Sequence, residues 1–432
     1  MNNFTEKLAE ILSPIAAKFS GQRHLSAVRD GFIVAMPLII VASFFVLINN
    51  VGLDPDSGIF KSIADLSQFQ EIGNIVFDAT LGIISILIAF TVSYNLAESR
   101  DRDGVIPGVI GIALLFTLFP SIESVVPIGT DKAVEVTGVF SSVNTSATGL
   151  FMAIIAALLG TELYLFLSKS DKLNIKMPNS VPPMVAKSFS SLIPSLITLT
   201  VFAVVVFTID LLFGMSFPDL ITTLIQAPLT SVTTSFFGIL LITFIQNLLW
   251  GFGIHGANIT APILEPTLLA SIQENITASQ LGQEIPNIIT KPFVDVYTLL
   301  GGGGCLIGLV IAIFIVSKRK EYKEVAKIGI IPSSFNIAEP VMFGLPVVMN
   351  PVLIIPLVIV PAVNLTIAYL ATAIGLVSKT VVMVPWTTPP VISAFLATGG
   401  DWRAAVLSVF LIAISVVIYI PFVMALNKVS LK

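Results

Sequence analysis

Apolar residues dominate ten stretches of this chain, near 31–50, 73–97, 104–127, 139–168, 188–214, 229–254, 296–317, 351–377, 380–399 and 404–426. Each is long enough for a helix to cross roughly 30 Å of hydrocarbon. The pattern predicts an all-α polytopic membrane protein with about ten hydrophobic spans. Ahead of them, Met1 to Asp30 sets Glu6, Lys7, Glu10, Lys18, Arg23 and Arg29 among apolar residues at helical spacing. No small-residue cleavage site follows a short apolar core, so 1–30 is expected as an amphipathic helix at the cytoplasmic surface rather than a signal peptide.

Charge in the loops orients the first half. Arg23 and Arg29 precede the first span, Arg100 and Arg102 follow the second, and Lys169, Lys172, Lys176 and Lys187 separate the fourth from the fifth. The positive-inside rule puts these clusters, and with them the N-terminus, in the cytoplasm; the C-terminus is expected on the same side. The alternate loops hold Asp54, Asp56, Glu71, Asp131 and Glu135 with only Lys61 and Lys132, and face outward. In the second half the parity fails, because five further crossings would leave Lys318, Arg319, Lys320, Lys323 and Lys327 outside. Two repairs remain open: a re-entrant piece between 229 and 317, or a crossing by the polar segment 256–295 shielded by protein. Both need broken backbone at membrane depth, the hallmark of a transport site. The expected organisation is a scaffold and dimerisation half over 31–215 and a substrate-binding half over 226–432, where Pro and Gly interrupt 251–266, 286–304, 332–351 and 385–400.

Composition agrees. Of 432 residues, 55% are hydrophobic and 11% charged, and the mean hydropathy is +0.97; soluble domains carry about 25% charged residues. Nothing points to a nucleic-acid partner. Two histidines and one cysteine, none clustered, leave no metal or haem site, and no cofactor is expected. Cys305 has no partner for an internal disulfide and reads as a small buried hydrophobe.

The candidate chemistry gathers around Asn336-Ile337-Ala338-Glu339-Pro340 and Phe343-Gly344-Leu345-Pro346. An ionised carboxylate inside apolar sequence costs several kcal/mol unless it faces a watered cavity or a partner, so Glu339 marks a substrate or ion path. His255 lies in Trp250-Gly251-Phe252-Gly253-Ile254-His255-Gly256-Ala257-Asn258, among glycines that let the backbone approach a ligand. An imidazole and a carboxylate together suit a polyol that must be oriented and deprotonated. Trp250 and Trp386 offer flat faces to a sugar ring, with interfacial anchoring as the alternative; Trp402, beside Asp401 and Arg403, is expected as such an anchor. Lys291 stands four residues before Asp295 and either pairs with it or donates to a sugar hydroxyl. Gly301 to Gly304 lack the Lys-Ser/Thr of a nucleotide loop and are read as close helix packing.

The Asn336–Pro340 signature, the Trp250–Asn258 segment and Thr290-Lys291-Pro292-Phe293 ahead of a glycine run resemble enzyme IIC of the sugar phosphotransferase system, in its lactose/cellobiose/N,N'-diacetylchitobiose family. The resemblance spans essentially the whole chain. It implies a homodimeric permease of the bacterial inner membrane with re-entrant hairpins in its C-terminal half. It also implies import of a β-linked disaccharide, diacetylchitobiose or cellobiose, whose 6-hydroxyl receives phosphate from a phosphocysteine on enzyme IIB, charged in turn by IIA. The chain ends at Lys432 without room for a fused IIB domain, so the donor is expected on another chain. His255 and Glu339 would flank the accepting hydroxyl, with Asn336, Asn258, Lys291, Trp386 and Trp250 holding the sugar. The competing expectation is an ion-coupled secondary transporter in which Glu339 and His255 relay protons, and a third is a membrane receptor without flux.

Overall fold

The computed structural model describes residues 21–53, 55, 60, 66–127, 130, 132–178, 180–345 and 347–427. The first two-thirds of the expected surface helix, together with Asp54, Asp56, Lys61, Asp131 and Pro346, lie outside the described residues. What is described of the 1–30 segment runs, from Arg23, straight into the first apolar helix, Arg23–Leu47.

Six helices among the described residues are long and apolar enough to cross a bilayer: Arg23–Leu47, Ser67–Glu98, Ala147–Leu167, Pro183–Phe213, Pro351–Ala373 and Trp402–Leu426. A seventh arises if Phe217–Thr233 and Phe236–Gly251, bent by 75°, count as one broken span. Three expected spans turn out differently. The 104–127 stretch gives a helix of only 13 residues, Val105–Thr117, and then a two-stranded antiparallel hairpin pairing Ile122–Val125 with Val134–Thr137. Across 296–317 the end of the eight-residue helix Lys291–Thr298, the glycine run and the 11-residue helix Leu306–Val316 follow one another. The 380–399 stretch is irregular up to Val391 and ends in the short helix Ile392–Ala397. Pro385, Pro389 and Pro390 account for the last case, since each lacks the N–H that an inner helical turn donates. There the chain doubles back: the N–H groups of Val381 and Val382 both donate to the Ala397 carbonyl, at 2.9 and 3.1 Å. The polar segment forms a 25-residue helix, Gly256–Gln280, about 37 Å long, whose middle is largely buried.

The chain divides into two compact units. One comprises Gln22–Ile39 and Asp78–Leu229. Its centre is the trio Ile84–Glu98, Val105–Thr117 and Leu150–Leu167. Gly111 permits that packing, because a Cβ there would lie 2.6 Å from the Ala89 carbonyl oxygen. The other comprises, among the described residues, those of Ile40–Phe77 and 230–427 and holds every candidate sugar-site residue. In it Phe236–Gly251 packs on Pro351–Ala373, and Leu306–Val316 lies along Trp402–Leu426 with Gly308 against Ser415. Several polar groups inside this core are paired: Asn364 donates to the Ser415 hydroxyl (3.0 Å) and the Cys305 sulfur (3.3 Å), and the Tyr419 hydroxyl donates to the Gly304 carbonyl (2.7 Å), whereas the Asn364 Oδ1 and the Tyr297 hydroxyl are buried without a partner. Cys305 is fully buried and left-handed, at φ 54°.

Candidate functional site

The site starts where the Phe236–Gly251 helix runs out of side chains. Gly253 takes φ +80°, which reverses the chain, and His255 then becomes the N-cap of Gly256–Gln280. Only glycine fits at 256, since a Cβ would sit 2.2 Å from the Gln246 carbonyl oxygen. The His255 Nδ1 accepts from the Asn258 backbone N–H at 3.4 Å. An accepting Nδ1 leaves the proton of a neutral ring on Nε2, which is then a donor directed away from the helix. His255 and Asn258 are both solvent-accessible.

Glu339 opens the six-residue helix Glu339–Gly344, where a carboxylate is favoured by the unpaired N–H groups of the first turn. It too is accessible, and it lies within electrostatic range of the His255 imidazole. One buried ring connects the two. Trp250, 7% exposed, meets the His255 ring at 4.5 Å and 63° and the Phe343 ring, on the Glu339 helix, at 5.8 Å and 82°. Behind it the Gly303 backbone comes so close that a Cβ would stand 3.1 Å from the indole. Trp250 is thus a wedge between the imidazole and the carboxylate-bearing helix. The accessible aromatic surfaces nearby belong instead to Phe343, 61% exposed, and Trp386, 36% exposed.

Asn336 is committed to the backbone. It is buried with φ +61°, its Oδ1 accepts from the Gly301 N–H at 3.0 Å, and its Nδ2 donates to the carbonyls of Trp386 (2.6 Å) and Thr388 (3.1 Å). One side chain therefore pins the glycine run and the proline-rich Pro385–Pro390 segment to the loop that carries Glu339. Gly301, Gly302 and Gly304 all take positive φ, and a Cβ on Gly302 would fall 2.6 Å from that of Ala338. Gly301 and Gly302 serve a tight loop seated on 336–338, while Gly303 and Gly304 let the loop close onto Trp250 of Phe236–Gly251 and Leu357 of Pro351–Ala373, which is the close helix packing expected.

Lys291 sits at the first position of Lys291–Thr298, behind the Thr290 cap. Its ammonium contacts Asp295 at 2.9 Å and, unforeseen from the sequence, Glu265 at 3.1 Å. Two carboxylates on one ammonium leave a part-buried cluster of net negative charge. Glu265 carried the same sign as Glu339, a Glu-Pro pair (Glu265-Pro266) in a largely apolar run, but the polar surroundings of 256–295 masked it. Trp402 is exposed at the start of the last helix, next to the Asp401–Arg403 pair.

A family model described as "Phosphotransferase system, EIIC" matches residues 29–361. The chain is 36% identical over 433 residues to the lichenan permease IIC component of Bacillus subtilis, covering 100% of this chain and 95% of the relative. It is 36% identical over 427 residues to the cellobiose-specific EIIC component of Geobacillus stearothermophilus, covering 98% of this chain and 94% of the relative. Among solved structures, the transporter ChbC, the IIC component from the N,N'-diacetylchitobiose-specific phosphotransferase system, superposes with a TM-score of 0.91 at 33% identity. That match covers 98% of this chain and 97% of ChbC.

Proposed function

Since the chain belongs to the EIIC family of the phosphotransferase system, we propose that it binds and imports a β-linked disaccharide, diacetylchitobiose or cellobiose, and presents the 6-hydroxyl for phosphorylation. The observation that supports this reading is that Trp250 packs both on the His255 ring, whose Nε2–H is left to donate, and on Phe343 of the helix that Glu339 opens, with the carboxylate within electrostatic range of the imidazole. The relatives named for lichenan, cellobiose and diacetylchitobiose make a β-glycoside the cargo that fits the family neighbourhood.

In the transfer step the sugar O6 attacks the phosphorus of phosphocysteine on enzyme IIB. The P–S bond breaks, a P–O bond forms, the cysteine leaves as thiolate, and the O6 proton passes to Glu339. His255 donates to O6 beforehand and fixes its direction. Phosphoryl transfer asks mainly for positioning and charge control, and these two groups supply both. Phe343 and Trp386 offer the apolar faces against which the pyranose C–H side packs, Asn258 and the Lys291 cluster border the polar end, and Asn336 and Trp250 hold the frame. The protein acts as a homodimer with both termini cytoplasmic, IIB docking from that side after charging by IIA, and the doubled-back 377–399 segment entering the membrane as a hairpin.

Vesicle uptake tests the reading. Sugar should accumulate as its phosphate only with phosphoenolpyruvate and the soluble phosphotransferase proteins, and a protonophore should leave the rate unchanged. Uptake that collapses with the protonophore and ignores those proteins would establish proton coupling through Glu339 and His255 instead.

A further inference from the structure

The Gln22–Ile39 and Asp78–Leu229 unit carries a second polar concavity that the sugar chemistry does not use. A cleft of about 1000 Å³ opens between the loop after Ile84–Glu98, the end of Leu150–Leu167 with the linker beyond it, and the first turns of Pro183–Phe213. Six basic side chains line it, Arg23, Arg100, Arg102, Lys169, Lys176 and Lys187, against three aspartates. Two of those aspartates are engaged locally, Asp103 with Lys187 at 2.7 Å and Asp171 with Lys176 at 3.6 Å. Arg100 shares Glu162 with His24. Arg23, Arg102 and Lys169 have no carboxylate partner among the described residues. The Arg100 Nε–H is buried without an acceptor.

A positive-inside bias explains why basic residues collect on this side. It does not explain their convergence on one concavity, nor a buried guanidinium N–H without a partner. A bound anion with several acceptor oxygens answers both; the hydroxyls of Ser168, Ser190 and Ser191 on the same wall already donate to the carbonyls of Tyr164, Lys187 and Ser188, so the basic groups are what would hold it. The ligand's other half is suggested by the helix that forms that wall. Pro183–Phe213 turns Lys187, Ser190 and Ser191 to the cleft, while Met184, Phe189, Leu192 and Leu196 on the same turns are 43–69% exposed. A cationic pocket at the foot of a helix whose far side is apolar and exposed matches a molecule with a phosphate at one end and hydrocarbon chains that reach round that helix.

We propose that this cleft binds the headgroup of an anionic phospholipid, with the acyl chains lying along the outer face of Pro183–Phe213. The full chain, purified in detergent, would be titrated with dioleoylphosphatidylglycerol, dioleoylphosphatidylcholine, glycerol 3-phosphate and inorganic phosphate. Retention is read by native mass spectrometry and protection by Tm. Phosphatidylglycerol should remain bound and raise Tm, whereas phosphatidylcholine and both water-soluble phosphates should not. Arg102→Gln with Lys169→Gln removes two exposed, unpaired charges, and each basic group near a lipid headgroup is worth about fivefold, so the double variant should lose roughly 25-fold in phosphatidylglycerol affinity. Its Tm in detergent with added phosphatidylcholine should match that of the unaltered chain. Rising salt should weaken binding in the unaltered chain, a check that needs no substitution. Equal binding of the two lipids, or a double variant that holds phosphatidylglycerol as well as the parent, overturns the proposal. Equal protection by glycerol 3-phosphate overturns it too, and assigns the cleft to a soluble phosphate.

Discussion

Replacing Asn336 separates a residue that touches sugar from one that builds the site. Its side chain makes three hydrogen bonds to otherwise unpaired backbone, with Gly301, Trp386 and Thr388. Each contributes about 1 kcal/mol net, more if the abandoned group stays dry. Alanine also lacks the local side-chain bonding that lets asparagine sit at φ +61°, which adds about 1–2 kcal/mol. Asn336→Ala should therefore cost about 4–5 kcal/mol, and Asn336→Gly, which relieves only the backbone term, about 3 kcal/mol. Asn336→Asp keeps the bond to Gly301 but aims a carboxylate oxygen at two carbonyls, so it should be at least as damaging as glycine. By the scaling for soluble proteins, carried to a 432-residue chain, 3 kcal/mol lowers Tm by about 3–6 °C. Thermal unfolding in detergent, read beside sugar binding, is the assay. An Asn336→Ala protein with unchanged Tm and weakened sugar binding would refute the framework role and make the amide a direct sugar contact.

Other substitutions probe the chemistry and the charge cluster. Glu339→Gln should abolish phosphoryl transfer from phospho-IIB while sugar affinity falls by less than about tenfold, since an amide keeps hydrogen bonds but takes no proton. His255→Gln should weaken both, and unchanged binding and transfer would return it to an ordinary cap. Lys291→Met strands Glu265 and Asp295 together and should cost about 3–5 kcal/mol in a melting assay, partly restored by adding Asp295→Asn; a melting point equal to the parent's would show that the cluster is not held as a unit. Burial alone would raise the Asp401 carboxyl, but hydrogen bonds from Arg403 and the Ser378 N–H bring it down to about 2. Its folded value lies below its unfolded one, so its stabilisation, on the order of 1–2 kcal/mol, is present above about pH 4 and is lost as pH falls toward 2. Asp401→Asn should flatten the Tm profile in that window, and an unchanged slope would show that the loss arises elsewhere.

The six long helices were legible because they rest on a local signal, apolar run length. Three things were not. Hydropathy averages over position and so counted 380–399 as a span, although Pro385, Pro389 and Pro390 remove the donors a helix needs there. The glycine run was read only as helix packing, which holds for Gly303 and Gly304; the partner of Gly301 and Gly302, the 336–338 loop, is 35 residues away in sequence and only the fold brings them together. Trp250 and Phe343 exchange the parts their residue types suggest: the tryptophan is buried as a wedge and the phenylalanine is uncovered, an outcome set by which faces Gly303 and His255 occupy.

The most direct test is a structure of the protein with a β-linked disaccharide bound. The sugar 6-hydroxyl should lie within hydrogen-bond reach of both the His255 Nε2 and the Glu339 carboxylate, with a pyranose face against Phe343 or Trp386. A sugar seated elsewhere in the chain, or one whose 6-hydroxyl meets neither group, would contradict the assignment.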